Sequence, residues 1–199
     1  MKRRWECRGK GFLEPFSDSR HVFSFLWSRD GDIIYYTDFR KSKLLRRSIS
    51  PRGAEELERE LPNSTHVEDI SPDMHYAVGE IIHNSARSQV AWAELEDGNH
   101  AATWHLMKAS GPWGLLPSFS VDGRWLAFCS YESGSPQIYV TDFPGDSSPR
   151  RISIDGGQMP RWRRDGKELF YIAADGNLMS VEISGGAQLR AGSPKNVAQ

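Results

Sequence analysis

Short apolar runs separated by polar turn residues extend along most of the chain, and no long apolar stretch has helical periodicity. The run from Trp125 to Cys129 has the length of one strand, and it follows the turn residues Asp122 and Gly123. An Asp-Gly pair between two apolar runs is typical of a tight hairpin, because Asp bonds to nearby backbone and Gly adopts a positive φ. The pattern therefore predicts short antiparallel strands joined in pairs.

The hairpin pattern occurs four times at regular intervals. Residues 117–129 and 160–171 are the clearest copies, and residues 26–36 and 69–78 are weaker ones. The turn aspartates of successive copies are 43, 49 and 43 residues apart, at Asp30, Asp73, Asp122 and Asp165. Self-similarity at a period of about 40 to 50 residues indicates a repeat architecture.

Each copy contains a third apolar run and ends in a more polar fourth segment. The third runs are Leu44-Leu45 and residues 90–92, 138–140 and 178–181, and the fourth segments include residues 101–106 and 150–154. Residues 54–61 are compatible with one or two helical turns as well as with a strand. Four antiparallel strands in each repeat describe a blade of a β-propeller.

We therefore predict an all-β fold of four four-stranded antiparallel blades, forming a partial ring or a small ring. The blades occupy about residues 23–65, 66–114, 115–157 and 158–199, and residues 1–22 form an N-terminal segment or the remnant of a preceding blade. We expect apolar side chains on both sides of each turn to form the core, with the large residues before the turn filling the gap between neighbouring blades. Those before the turn are Trp27, Ile70, Phe119 and Trp162, and those after it are Ile34, Ala77, Leu126 and Leu169.

The second turn departs from the pattern because Met74 occupies the position of the turn glycine. A positive φ costs a residue with a side chain on the order of 1 kcal/mol. We therefore predict that the turn at Met74 differs in geometry from the turn at Gly123.

The unit of an aromatic residue, Ser-Pro-Asp-Gly and an apolar strand resembles the TolB-type, WD-repeat-like propeller repeat. Residues 70–73, 119–123 and 162–166 carry the resemblance, which extends over about residues 23–185. Residues 156–182 are most similar to the C-terminal propeller blades attached to bacterial serine/threonine kinases and winged-helix regulators, whose propellers are sensing or interaction modules. In this family the full-length proteins are often periplasmic or extracytoplasmic.

The resemblance also implies a ring of roughly six blades, whereas this chain supplies four. Three arrangements follow: part of a longer protein, a small closed ring, or an arc that is either open or completed by a partner. The remaining blades or another copy of the chain would complete such a ring. Exposed faces at the ends of such an arc favour association with another sheet.

Composition indicates a folded domain and excludes several kinds of partner. The chain of 199 residues contains seven Trp, nine Phe and six Tyr, and its net charge of -1 provides no overall field for nucleic acid or a membrane surface. No run approaches the roughly 18 apolar residues of a membrane span, and no apolar signal segment follows the basic N-terminus. Cys129 lies in an apolar run and is expected to be a buried free thiol. The compartment stays undetermined.

No motif of catalytic, cofactor-binding or metal-binding residues stands out. The histidines from His66 to His105 are spaced by 9, 8, 17 and 5 residues, which matches no familiar pattern of metal ligands. The sequence contains neither a Gly-x-Ser-x-Gly elbow nor a phosphate-binding glycine loop. The basic runs in residues 40–47 and 161–167 are expected to be solvated blade edges. We predict that the chain is not an enzyme.

Propellers usually bind at the mouth of the central channel. Asp69, Ser118 and Arg161 lie beside the core residue of their strands, on the opposite strand face, and are the candidate binding residues, whereas the equivalent Leu26 is apolar. The predicted function is a non-catalytic propeller module for protein interaction or sensing, with a protein or peptide partner, in a larger bacterial protein. The alternative is the gating propeller of a prolyl-oligopeptidase-like hydrolase.

Overall fold

The structure is a computed structural model that describes residues 21–197, apart from residues 29, 39, 50–52, 85–86, 96–102, 111–113, 146 and 185–187. Of the N-terminal segment predicted for residues 1–22, residues 1–20 lie outside the described residues. None of the helical segments in the described ranges has the length and hydropathy of a membrane span.

The described residues form four antiparallel sheets that follow one another along the chain. The first sheet has the strand order β1 (Val22–Trp27), β2 (Ile33–Asp38), β3 (Lys43–Ser48) and β4 (Glu56–Glu60). The second has the order β5 (Thr65–Ile70), β6 (Tyr76–Asn84), β7 (Arg87–Glu94) and β8 (His105–Leu106), and a short 3-10 helix (Lys108–Ser110) follows it.

The third and fourth sheets repeat this arrangement. The third contains β9 (Gly114–Phe119), β10 (Trp125–Ser130), β11 (Gln137–Asp142) and β12 (Arg150–Arg151). The fourth contains β13 (Gln158–Trp162), β14 (Glu168–Ile172), β15 (Leu178–Ser184) and β16 (Arg190–Ala191), and β17 (Lys195–Asn196) also pairs with β15. The predicted all-β architecture of four four-stranded antiparallel blades is confirmed. Residues 54–61 contain the strand β4 and not a helical turn.

The first strand of each blade lies beside the first strand of the next, from β1 through β5 and β9 to β13. We call these the inner strands, because the blades are arranged around them. Each blade then extends outward through its second, third and fourth strands.

Each turn between the first and second strands is closed by an aspartate. In the third blade the Asp122 carboxylate accepts a hydrogen bond from the Ser120 hydroxyl at 2.6 Å and from the Arg124 amide at 3.2 Å. The Ser120 hydroxyl oxygen accepts from the Trp125 amide at 3.0 Å, and Gly123 has a φ of 72°. The side chains of the Ser and the Asp of the repeat therefore stabilise the hairpin by local hydrogen bonds.

The prediction of a different turn geometry at Met74 is wrong. Met74 has a φ of 64°, close to that of Gly123, and its amide donates to the Ser71 carbonyl at 2.9 Å as Gly123 does to Ser120. The Ser71 hydroxyl donates to the Asp73 carboxylate at 2.6 Å. These bonds offset the backbone cost of about 1 kcal/mol, and the methionine side chain extends toward solvent.

The predicted core residues meet as cross-strand pairs. The residue before each turn lies directly opposite the residue after it, in the pairs Trp27–Ile34, Ile70–Ala77, Phe119–Leu126 and Trp162–Leu169. Three apolar clusters separate the four sheets, one between each pair of neighbours. Packing between blades therefore uses most of the large apolar side chains, as the pattern predicted.

Trp27 departs from this prediction, because 59% of its surface is exposed whereas the equivalent Phe119 is 4% exposed. Phe119 packs on the preceding blade with Val78 and Val90. Trp27 belongs to the first blade, and its strand face is opposite to the one that packs on the second blade. The core assignment is therefore wrong at this one position, since no described blade precedes it.

Candidate functional site

A bulge interrupts the pairing of every inner strand. The register shifts at residues 22–25 in β1, 67–69 in β5, 115–118 in β9 and 158–161 in β13. Leu116 and Met159 occupy equivalent positions in two of these bulges and have φ values of 52° and 57°. Bulges redirect side chains and occur often beside functional sites, and positive φ in a bulky residue marks stored strain. The inner strands, with their bulges and strained residues, are therefore the place to look for a functional site.

Side chains from the second strand of each blade reach the next blade near its bulge. The Glu80 carboxylate accepts a hydrogen bond from the Leu116 amide at 2.8 Å. At the equivalent position of the first blade, the Thr37 hydroxyl accepts from the Val67 amide at 3.4 Å. In the third blade, the Cys129 thiol donates to the carbonyl of Gly157 at 3.4 Å. At each of these three interfaces, a polar side chain of the second strand therefore bonds to the backbone of the following blade near its bulge.

Asp69 makes a second link between the second and third blades. Its carboxylate accepts from the Phe119 amide at 2.8 Å, from the Ser118 hydroxyl at 3.3 Å and from its own neighbour Ile70 at 2.8 Å. The structure thus brings two of the three predicted site residues, Asp69 and Ser118, into direct contact. Both polar groups are engaged with protein partners in this arrangement.

Arg161 lies in β13, and its side chain is exposed. Its Nη1 donates to the carbonyl of Pro160 at 2.8 Å, and it makes no ion pair within the described residues. Burial raises the pKa values of both acidic residues of β5, Glu68 and Asp69, and the positive charge of Arg161 opposes this rise. All three predicted residues therefore belong to one electrostatic environment that spans the second, third and fourth blades.

Glu68 completes this environment, although the sequence analysis did not single it out. Burial raises its pKa to about 7, and the charges of Glu80 and Asp69 act in the same direction, against the opposing effect of Arg161. Burial also raises the pKa values of Asp69 and Glu80, although hydrogen bonds from backbone amides oppose this. Within the described residues, the Glu68 carboxylate has neither a hydrogen bond nor an ion pair. We call Glu68, Asp69, Ser118 and Arg161 the axial cluster.

A signal for Glu68 was present in the sequence. The equivalent positions of the third and fourth blades are Pro117 and Pro160, both buried. A carboxylate where two repeats have proline is a departure from the repeat. The turn and core positions of the repeats do not carry this difference, which lies two residues before the core position.

An open groove of about 1010 Å³ separates the turn sides of the third and fourth blades. Trp125 and Trp162 line it, and the Trp162 indole Nε1 donates to the Ser118 carbonyl at 3.0 Å. Arg163, in one of the basic runs, pairs with Asp165 at 2.6 Å and with Glu168 at 2.5 Å. The hydrogen bonds that Arg163 donates to the Asp165 carboxylate raise the pKa of Arg163. The charge of Arg163 is thus paired within its own blade.

The histidines serve local roles. His66 is buried, which lowers its pKa, and His105 stacks on Trp92 with ring centres 4.5 Å apart. The described ranges contain no group of three His, Cys, Asp or Glu side chains placed to hold a metal ion. His100 lies outside those ranges.

No protein-family profile and no curated protein sequence matches the chain. Several solved structures do match the chain. TolB from Acinetobacter baumannii matches with a TM-score of 0.65 and 20% identity, over 89% of this chain and 45% of that one. Oligogalacturonate lyase from Vibrio parahaemolyticus matches with a TM-score of 0.62 and 11% identity, over 88% of this chain and 54% of that one.

A chain of the nidogen/laminin complex matches with a TM-score of 0.63 and 9% identity, over 87% of this chain and 65% of that one. The chain spans less than two thirds of the length of each of these three proteins. At such low identities the likeness concerns the fold and not the activity. The four blades therefore have a β-propeller fold similar to that of TolB.

Proposed function

We propose that the chain is a non-catalytic β-propeller module that binds a protein or peptide partner at the axial cluster. The observation that carries the proposal is the state of Glu68 and Arg161. Both are ionisable side chains of inner strands, and within the described residues neither is paired with another side chain. Charged groups without partners beside strained bulges are suited to recognising a ligand.

The remaining polar groups of the cluster support binding and not catalysis. A nucleophilic serine needs a base that accepts its proton and a third group that orients the base. The Ser118 hydroxyl instead donates to Asp69, whose carboxylate is already held by two backbone amides. Asp69 and Ser118 form the rigid support of the cluster, and Glu68 and Arg161 form its recognition groups.

The opposite charges of these two side chains define the partner chemically. A peptide segment with a basic and an acidic group, or with a free main-chain amide and carbonyl, complements them. The net charge of -1 gives no general attraction for nucleic acid. By its resemblance to regulator-associated propellers, we place the module in a larger bacterial protein with a sensing or signalling role.

Selection from a displayed peptide library with the 199-residue chain, followed by fluorescence anisotropy titration, tests this proposal. Arg161→Glu should weaken binding of a selected peptide at least about tenfold, because a charge in contact with the ligand is reversed. Arg151→Glu, in the outer strand β12, is the matched control and should bind as the unmodified chain does.

Equal losses from both arginine variants, or no selected peptide at all, would contradict binding at the axial cluster. The non-catalytic role has its own test, since hydrolysis of peptide or ester substrates by the purified chain would overturn it. Such activity would favour the hydrolase-associated alternative.

A further inference from the structure

The fourth blade carries an apolar face that points away from the third blade. We call Phe170, Ile172 and Leu178 the receiving face. Leu178 is 41% exposed, whereas the equivalent residues of the first three blades, Leu44, Val90 and Ile138, are fully buried. The positions equivalent to Phe170 are likewise buried in the other blades, where Tyr35, Val78 and Ala127 occupy them. Among the described residues, the fourth blade thus leaves uncovered a surface that each of the other blades packs against its neighbour.

The first blade carries the opposite half of the same kind of interface. We call Phe25 and Trp27 the inserting face. They lie on one side of β1 and are 66% and 59% exposed. In the interior of the arc, the residue equivalent to Trp27 packs on the preceding blade, as Phe119 does with Val78 and Val90.

The two end faces therefore match each other in the way that neighbouring blades match. One difference makes the end faces more apolar than the interior ones. Ile172 stands where Thr37, Glu80 and Cys129 provide a polar link to the next blade. Apolar surface of this kind, with aromatic residues that bury about 150–250 Å² each, is typical of a protein interface.

We propose that the inserting face of one copy of this chain docks on the receiving face of another copy. A second copy is the occupant because each chain carries both halves of the interface, so no other component is required. The contact continues the blade-to-blade packing that occurs three times within the chain. It joins different surfaces of the two copies, and such head-to-tail contacts either close into a ring or extend as a series.

Multi-angle light scattering of the intact chain at increasing concentration tests the proposal. The mass should rise above the 22.5 kDa of a single chain as the concentration approaches about 100 µM. Trp27→Asp and Leu178→Asp should each give single chains, because each removes one half of the interface. An equimolar mixture of the two variants should form a dimer, since each supplies the face that the other lacks. Ile154→Asp is the matched control, because Ile154 is 60% exposed but lies on neither face.

Three results would overturn the proposal. They are a single-chain mass for the unmodified protein at every concentration, association of either variant on its own, and a mixture that remains at the single-chain mass. Circular dichroism and thermal melts establish that the variants fold. If an aspartate variant does not fold, Trp27→Ser and Leu178→Ser are used instead, and the same outcomes are expected.

Discussion

Glu68 offers a test of the electrostatics of the inner strands. Its carboxylate is largely buried beside Glu80 and Asp69, and only the charge of Arg161 opposes their effect. Replacing it by glutamine keeps the size of the side chain and removes the titratable group. We expect Glu68→Gln to stabilise the chain at high pH and to change its stability little at low pH.

The sign follows from proton linkage. The pKa of Glu68 is about 7 in the folded chain and 4.5 for an ordinary carboxyl group, so the folded chain holds this proton more tightly than the unfolded chain does. Its contribution to stability therefore decreases as the pH rises from about 4.5 to about 7 and is constant above that range. The full difference between these two pKa values corresponds to about 3 kcal/mol in the free energy of unfolding. Partial contact with solvent reduces the expected effect to about 1–2 kcal/mol.

Urea unfolding at pH values of about 8.5 and about 5 measures this effect as a difference between the variant and the unmodified chain. Glu132→Gln, in an exposed loop, is the control and should have no pH-dependent effect. A loss of stability in Glu68→Gln at pH 8.5, or an equal gain at both pH values, would refute the assignment of Glu68 as a buried, destabilised charge.

Three further substitutions or measurements test other parts of the structure. Met74→Gly should stabilise the chain by about 1 kcal/mol in urea unfolding, because glycine adopts the positive φ of this turn without strain; a destabilised variant would show that the methionine side chain contributes packing. Asp69→Ala should lower stability by about 2–4 kcal/mol, since the buried Phe119 amide loses its acceptor, and Asp69→Asn should lose less because it keeps an oxygen; similar losses in both variants would argue against this bond. Burial raises the pKa of Cys129 to about 12, so in a Cys7→Ser background the thiol should react with a disulfide reagent only after unfolding, and rapid labelling of the folded chain would contradict its burial.

The turn aspartates explain why so much of the fold could be predicted. Because Asp122 fixes its hairpin by local hydrogen bonds, the residues at a given distance on each side must face one another. The pairing of Phe119 with Leu126 follows from that local geometry and needs no knowledge of the rest of the chain. The same register gave Asp69 and Ser118 equivalent positions in two neighbouring inner strands, and the structure brings them into contact.

Features that depend on what surrounds a strand could not be predicted in this way. Trp27 has the sequence context of a core residue, and only the absence of a described blade before it leaves it exposed. The bulges are a second case, because an extra residue in an inner strand leaves no consistent mark in the repeat. The importance of Glu68 depends on the charges of Glu80 and Arg161, which lie in other strands. The prediction at Met74 failed for a different reason. It relied on a local backbone preference, and the hydrogen bonds of the turn outweigh that preference.

The polar link between neighbouring blades has a consequence for how the number of blades evolves. Each turn completes its hydrogen bonds within its own hairpin, while a single side chain of the second strand reaches the following bulge. A duplicated blade would therefore arrive with its own turn intact and would need compatible apolar faces together with a suitable residue at the position of Thr37 or Glu80. Gain or loss of whole blades is thus a small step for this architecture, and the length of that one side chain is a means of adjusting the spacing between blades.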